Sequence, residues 1–261
     1  MTRSLLDETD RLLARVIPRP LRVPLHFTAL RLAKRGEQAM LARISEICPA
    51  TGRALDVGAN HGLYTFALAR LAERVDAFEP QEECVRNLRA FGKVFAPNLK
   101  VHNVALSDSM GTVELNVPWF EGRLGRATLS GQASIDVRSD RSETVTVSAK
   151  RIDDFRFSDV GFVKIDVEGH EDRVIAGATE TLQRCRPILL VEVEQRHLAS
   201  RRIEDVFARV ENLRYRGSFY RRGVLSDLDE FDVKRDQAAF LDDADAVFDE
   251  RYINMFIFRP A

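Results

Sequence analysis

The chain has 261 residues, 45% hydrophobic and 30% charged, with a formal net charge of −1. This composition excludes a disordered chain, suits one large globular domain with a sizeable core, and offers no net attraction for nucleic acid or an anionic membrane. Cys48, Cys84 and Cys185 are widely spaced and form no CxxC pair, so neither a disulfide framework nor a zinc cluster is expected, and a reducing cytoplasm fits best.

The opening MTRSLLDETDRLL places acids where a signal peptide needs an unbroken apolar core, and no apolar run is long enough to span a bilayer, so a soluble chain is expected. Residues 1–50 read as a helical extension. Ser4 with Asp7 resembles a capping box; Pro18, Pro20 and Pro24 then interrupt before a second helix around 26–46. Packing of this extension on the domain is favoured over a membrane-surface helix. Residues 51–261 then form the main domain. An apolar run enters LDVGANHGLY (55–64) and helical spacing leaves it, which is strand, glycine turn, helix. ERVDAFEP (73–80) reads as a strand, 81–95 as a helix and 98–108 as a third strand. Residues 109–150 read as an insertion of extra strands and a glycine-rich loop, suited to a substrate lid. FVKIDVEGHE (162–171), the helix 172–184 and PILLVEVEQ (187–195) resume the alternation. Stretches 213–223 and 250–259 read as closing strands around an acidic, solvated excursion. Alternating strand and helix predicts a mainly parallel sheet whose ligands sit beyond the carboxyl ends of the strands.

The first strand-end loop does not suit a dinucleotide. Gly58 and Gly62 flank Asn60, which adopts a left-handed turn readily, but the spacing is not GxGxxG and no Lys or Arg lies between Asp56 and Ala69. Asp56 at the strand end favours a cationic ligand; S-adenosylmethionine, with its sulfonium and ammonium, fits. Glu79 ends the next strand, where an acid accepts from both ribose hydroxyls and repels a 2′-phosphate. Ser107 and Asp108 follow the third and can take a hydrogen bond from the adenine amino group.

With these residues in place the sequence resembles the FkbM-like S-adenosylmethionine-dependent methyltransferases, through LDVGANHGLYT, AFEPQEECVRNL, VALSD with GTVEL, RIDDF, FVKIDVEGHEDRVIAGA, ILLVEVE and YINMFIF. The resemblance covers roughly residues 50–200 and implies an α/β, Rossmann-like, seven-stranded class I methyltransferase fold. It also implies O-methylation of a hydroxyl on a sugar, polyketide or other secondary metabolite. Carried over, Asp56, Gly58, Asn60 and Gly62 hold the methionine end, Glu79 the ribose, and Ser107 and Asp108 the adenine.

In-line displacement at the sulfonium methyl needs a base for the acceptor hydroxyl. Candidates cluster in KIDVEGHE and VEVEQRH: Asp166, Glu168, His170, Glu192 and Glu194. His170, whose ordinary pKa is nearest neutrality, is the first choice, with Asp166 and Glu192 beside it. Alternatively, Asp166 with Glu192 binds Mg2+; against that stands a structural reading in which Glu168 caps the following helix and Lys164 pairs a neighbouring acid. His61, Trp119, Arg123 and Glu194 are the candidate acceptor contacts, with Phe120, Glu121 and Arg126 near them in the insertion. The acceptor is expected to be a small molecule or glycan. A nucleic-acid acceptor ranks below this for want of a basic channel. An NAD-dependent oxidoreductase and a non-catalytic cofactor-binding protein are the competing functions. Exposed faces of the N-terminal helices would serve a homo-oligomer.

Overall fold

The computed structural model describes residues 17–32, 37–120, 123–124, 128–129, 142–240 and 251–261. The expected capping box at Ser4 and Asp7 lies outside these. Helix α1 (Arg19–Leu32) runs through Pro20 and Pro24 instead of stopping at them. Pro20 falls in the first turn, where a backbone N–H has no helical partner to lose. Helix α2 (Glu37–Ile47) follows; residues 33–36, within the helix expected around 26–46, lie outside the described residues.

The main sheet begins with β1 (Arg53–Val57), followed by α3 (Leu63–Leu68), β2 (Arg74–Phe78), α4 (Glu82–Phe95) and β3 (Leu99–His102). Strand β1 is buried from Ala54 to Val57, as a central strand covered on both faces must be. Helix α4 buries Cys84, Val85, Leu88 and Phe91 at helical spacing, and Glu82 and Glu83 complement its positive N-terminal end. The expected strand 98–108 divides. After His102 the amide of Asn103 donates to the Glu79 and Pro80 carbonyls, and β4 (Ala105–Leu106) joins a second sheet. In that sheet β4 pairs β8 (Ser142–Lys150), which pairs β5 (Gly111–Phe120); β6 (Arg123–Leu124) and β7 (Thr128–Leu129) add to β5.

The chain returns through β9 (Val160–Ile165) to two helices, α5 (Glu171–Ala176) and α6 (Thr179–Cys185), where one was expected. The break is at Gly177, where a Cβ would lie 2.0 Å from the Ser107 carbonyl oxygen, so the chain crosses β4 at backbone contact. Strand β10 (Ile188–Glu192), helix α7 (Ile203–Glu211), β11 (Tyr215–Arg221), β12 (Val224–Asp227), the short α8 (Val233–Asp236) and β13 (Met255–Pro260) complete the order.

The main sheet runs β12-β11-β13-β10-β9-β1-β2-β3. The strands from β10 to β3 are parallel, and β13 enters antiparallel between β10 and β11. This is a doubly wound, Rossmann-like sheet with β12 as an eighth strand beyond the seven expected. Alternation along the strands splits the core. Leu55, Val163, Ile165, Leu189 and Val191 face the side of α5 to α7, while Ala54, Phe162, Leu190 and Ile257 face α2 and α3. Among the described residues, no helix is long and apolar enough to cross a membrane.

Candidate functional site

The sequence-predicted site residues fall into three linked groups along the carboxyl ends of the parallel strands. The first is the β1–α3 loop with the end of β2. Gly58 (φ +74°), Asn60 (φ +48°) and Gly62 (φ +85°) all take left-handed backbone angles, which turns the chain sharply into α3. A Cβ on Gly58 would stand 1.8 Å from the Asp166 carbonyl oxygen, so the loop lies directly on the end of β9. Glu79 is 3% exposed, and its carboxylate accepts the Asn60 N–H at 2.7 Å and the Gln81 N–H at 2.9 Å. Burial outweighs these bonds and pushes its pKa up to about 7. Asp56 is fully buried, accepts from the Thr65 hydroxyl at 2.5 Å and faces Lys164 at 3.5 Å.

The second group joins β4 to the N-terminus of α5. Ser107 Oγ lies 2.9 Å from His170 Nε2 and 3.2 Å from Asp108 Oδ1, and Arg173 donates to Asp108. Sequence reasoning separated these residues into an adenine contact and a base; the fold puts them in direct contact. His170 is 6% exposed, and burial, aided by Arg173, pulls its pKa down to about 4, so the ring is neutral at pH 7.

The third group comprises Asp166, Glu168 and Glu192, each offering a carboxylate oxygen within 4.8 Å of the others. Asp166 and Glu192 meet because β9 and β10 are neighbours in the sheet. Glu168 is turned toward them by its own left-handed backbone and by Gly169 (φ +97°), whose Cα packs against the His197 carbonyl. Lys164 Nζ sits 3.1 Å from Asp166 Oδ2 and donates to the Gly58 carbonyl at 3.1 Å, tying this group to the first. Burial opposes its charge, but Asp166, Asp56 and Glu192 together raise its pKa above the ordinary lysine value. Glu194 stands apart: it accepts from Tyr252 at 2.6 Å, from Asn254 at 3.1 Å, and pairs with Arg196.

Of the acceptor candidates, His61 is exposed in the loop, its ring 5.2 Å from that of His26 and its Nδ1 3.9 Å from Cys84 Sγ. Trp119 and Arg123 lie in the paired strands β5 and β6; their side chains, and Glu121 and Arg126 altogether, lie outside the described residues.

Four residues assigned no role from the sequence also shape the site. Glu171 is 2% exposed and accepts the backbone N–H of Val167 and Gly169, which clamps the turn carrying Glu168. Burial pushes it up to about 8. His197 Nδ1 lies 3.2 Å from Glu168 Oε2. Asn254 donates to both Glu192 and Glu194, and Tyr252 to Glu194. The polar Tyr-x-Asn step just before an apolar strand was the available signal for the last two.

The profile of the Methyltransferase FkbM domain family matches residues 56–218. No curated protein matches the chain significantly. Among solved structures, a methyltransferase FkbM from Methylobacillus flagellatus KT aligns with 16% identity over 80% of this chain and 44% of that one, at a TM-score of 0.49. This chain therefore spans less than half the length of that relative. An rRNA methylase from Streptococcus thermophilus aligns with 10% identity over 87% of this chain and 98% of that one, at a TM-score of 0.47. A SAM-dependent methyltransferase from Aquifex aeolicus aligns with 13% identity over 92% of this chain and 97% of that one, at 0.43.

Proposed function

The chain belongs to the methyltransferase FkbM family, and we propose that it transfers the methyl group of S-adenosylmethionine to a hydroxyl of a sugar or other small metabolite. The observation that carries this reading is the junction of three strand ends. Gly58 lies on the Asp166 carbonyl, and Glu79 binds the loop through Asn60, so a ligand over the loop touches the ribose acid and the β9 acids at once. Asp56 to Gly62 receive the methionine end, Glu79 the ribose, and Ser107 with Asp108 the adenine. His170, neutral and bonded to Ser107, belongs on that adenine side. Removal of the acceptor proton then falls to Asp166 or Glu192, beside the methyl. Alignment of acceptor and sulfonium supplies on the order of 7–11 kcal/mol, and the base about 10²–10⁴-fold.

A second reading concerns Asp166, Glu168 and Glu192. Oxygens within 4.8 Å of one another suit a divalent cation, which binds oxygen ligands at about 2.0–2.6 Å. Bound there it would lower the pKa of the acceptor hydroxyl.

Calorimetry with S-adenosylhomocysteine and with NAD tests the cofactor. Binding of the first alone supports the reading, and binding of NAD alone overturns it. Labelled S-adenosylmethionine with sugars, small alcohols and a structured RNA then tests the acceptor, with EDTA against Mg2+ to test the cation. Methylation of the RNA alone would overturn the small-molecule assignment.

A further inference from the structure

Lys164 stands one residue before the end of β9, in register with Asp56 on one side and Leu190 on the other, its side chain 2% exposed. An ammonium has three N–H donors, and three oxygens surround this one: Asp166 Oδ2 at 3.1 Å, the Gly58 carbonyl at 3.1 Å and Asp56 Oδ1 at 3.5 Å. The ring of Tyr64 covers it, with its centroid 5.0 Å from Nζ. So deep a charge persists only because it is paired, which leaves Lys164 no part as base or nucleophile. Its partners are Asp56 at the end of β1, the Gly58 carbonyl in the glycine loop and Asp166 just beyond β9.

Methyl transfer consumes charge. The S–CH3 bond breaks and its electron pair stays on sulfur. The methyl forms a bond to the acceptor oxygen, and the acceptor proton passes to a carboxylate. The sulfonium thus becomes a neutral thioether. A wall of uncompensated carboxylates would stabilise the cationic ground state more than a transition state in which that charge disperses, giving binding without rate.

We propose that Lys164 is a positioning residue that holds the Gly58 carbonyl and Asp56 in register with Asp166, and that its fixed charge limits the site's preference for cationic S-adenosylmethionine over neutral S-adenosylhomocysteine. This rests on the assignment of loop 56–62 to the cofactor's methionine end.

Calorimetry with both ligands, in EDTA, tests it on the full chain without an acceptor. Lys164→Gln keeps a donor for the Gly58 carbonyl but removes the charge; the preference for S-adenosylmethionine should rise by about tenfold. Lys164→Arg, which keeps the charge, should leave the preference as in wild type even where both affinities fall. Asp56→Asn removes a charge of opposite sign by an isosteric change and should move the preference the other way, which keeps the test decisive if Lys164→Gln does not fold. Equal weakening of both ligands, in whichever of these two variants folds, would show that charge in this cluster does not set the preference and would overturn the proposal. Failure of wild type to bind either ligand would instead remove the cofactor assignment, and the proposal with it.

Discussion

At Glu79 a single buried carboxylate holds the glycine loop through Asn60 and, on the proposed reading, would couple a proton to the cofactor's ribose. Its pKa of about 7 means that the free protein holds a proton there through much of the neutral range. On the proposed reading ribose hydroxyls would donate to the carboxylate, so binding would select the ionised form and release a proton wherever the free protein is protonated. Affinity for S-adenosylhomocysteine should therefore rise from about pH 6 to about pH 8. Calorimetry below pH 7, in buffers of different ionisation enthalpy, should register the released proton. Glu79→Gln should abolish that pH dependence, and Glu79→Ala should weaken binding by about 10- to 100-fold, as loss of hydrogen bonds to a charged group implies. His170 gives a contrasting test. Its ring nitrogen is engaged by Ser107, so His170→Ala should raise the cofactor Kd more than it lowers turnover at saturating cofactor. Turnover lost at unchanged Kd would return it to the position of base.

Among the elements, the site depends on two loops in backbone contact and on a helix laid over one of them. A methyl at Gly58 meets the Asp166 carbonyl and also demands φ of +74°. Gly58→Ala should cost about 2–4 kcal/mol in urea unfolding and abolish cofactor binding. Helix α1 covers the other side of this loop. Val23, 1% exposed, sits where a Cβ of Gly62 would be 3.0 Å away and beside Leu88; the Phe27 ring packs, tilted, 4.4 Å from that of Phe66, and Arg22 pairs with Glu83. The apolar positions Val23 and Phe27 thus meet the domain, as expected for a packed extension. Val23→Ala should lower stability by about 1–3 kcal/mol and weaken cofactor binding as well, because the wall of the loop recedes. Unchanged affinity in differential scanning with ligand would separate α1 from the site.

For the whole molecule, buried titratable groups set how stability follows pH. Glu79 and Glu171 are raised in the folded state, to about 7 and about 8, above an ordinary 4.5. Their contribution is complete below about 4.5 and is lost as pH climbs through those values, because the unfolded chain ionises first. His170 acts in the opposite sense. Lowered to about 4, it favours folding above its ordinary 6.5 and withdraws that support as pH falls. Asp76 behaves likewise: burial opposes its charge, but His102 and Arg53 hold it below the usual carboxylate range, so its support fails only in acid. Thermal melts should lose stability between about pH 4.5 and pH 8, and Glu171→Gln, which still accepts the Val167 and Gly169 amides, should flatten much of that loss. A slope unchanged in this variant would mean that Glu171 is ionised in the folded protein.

Alternation of strand and helix, and with it a parallel sheet, is legible in the chain alone, because buried parallel strands must be near-continuous apolar runs and their helices must show a 3.6-residue stripe. The same pattern also places Asp56, Glu79, Asp166 and Glu192 at strand ends, where apolar runs give way to polar residues. What these acids touch is set by tertiary contacts. After the break at His102, β4 joins a second sheet and the residue following it, Ser107, lies against His170; the left-handed turn at Glu168 and Gly169 brings a third carboxylate toward Asp166 and Glu192. Lys164 met the glycine loop because β1 and β9 are neighbours. Periodicity reports which face a residue takes within its own element; contacts between residues distant in the chain depend on strand order, register and backbone sign, which no local pattern encodes.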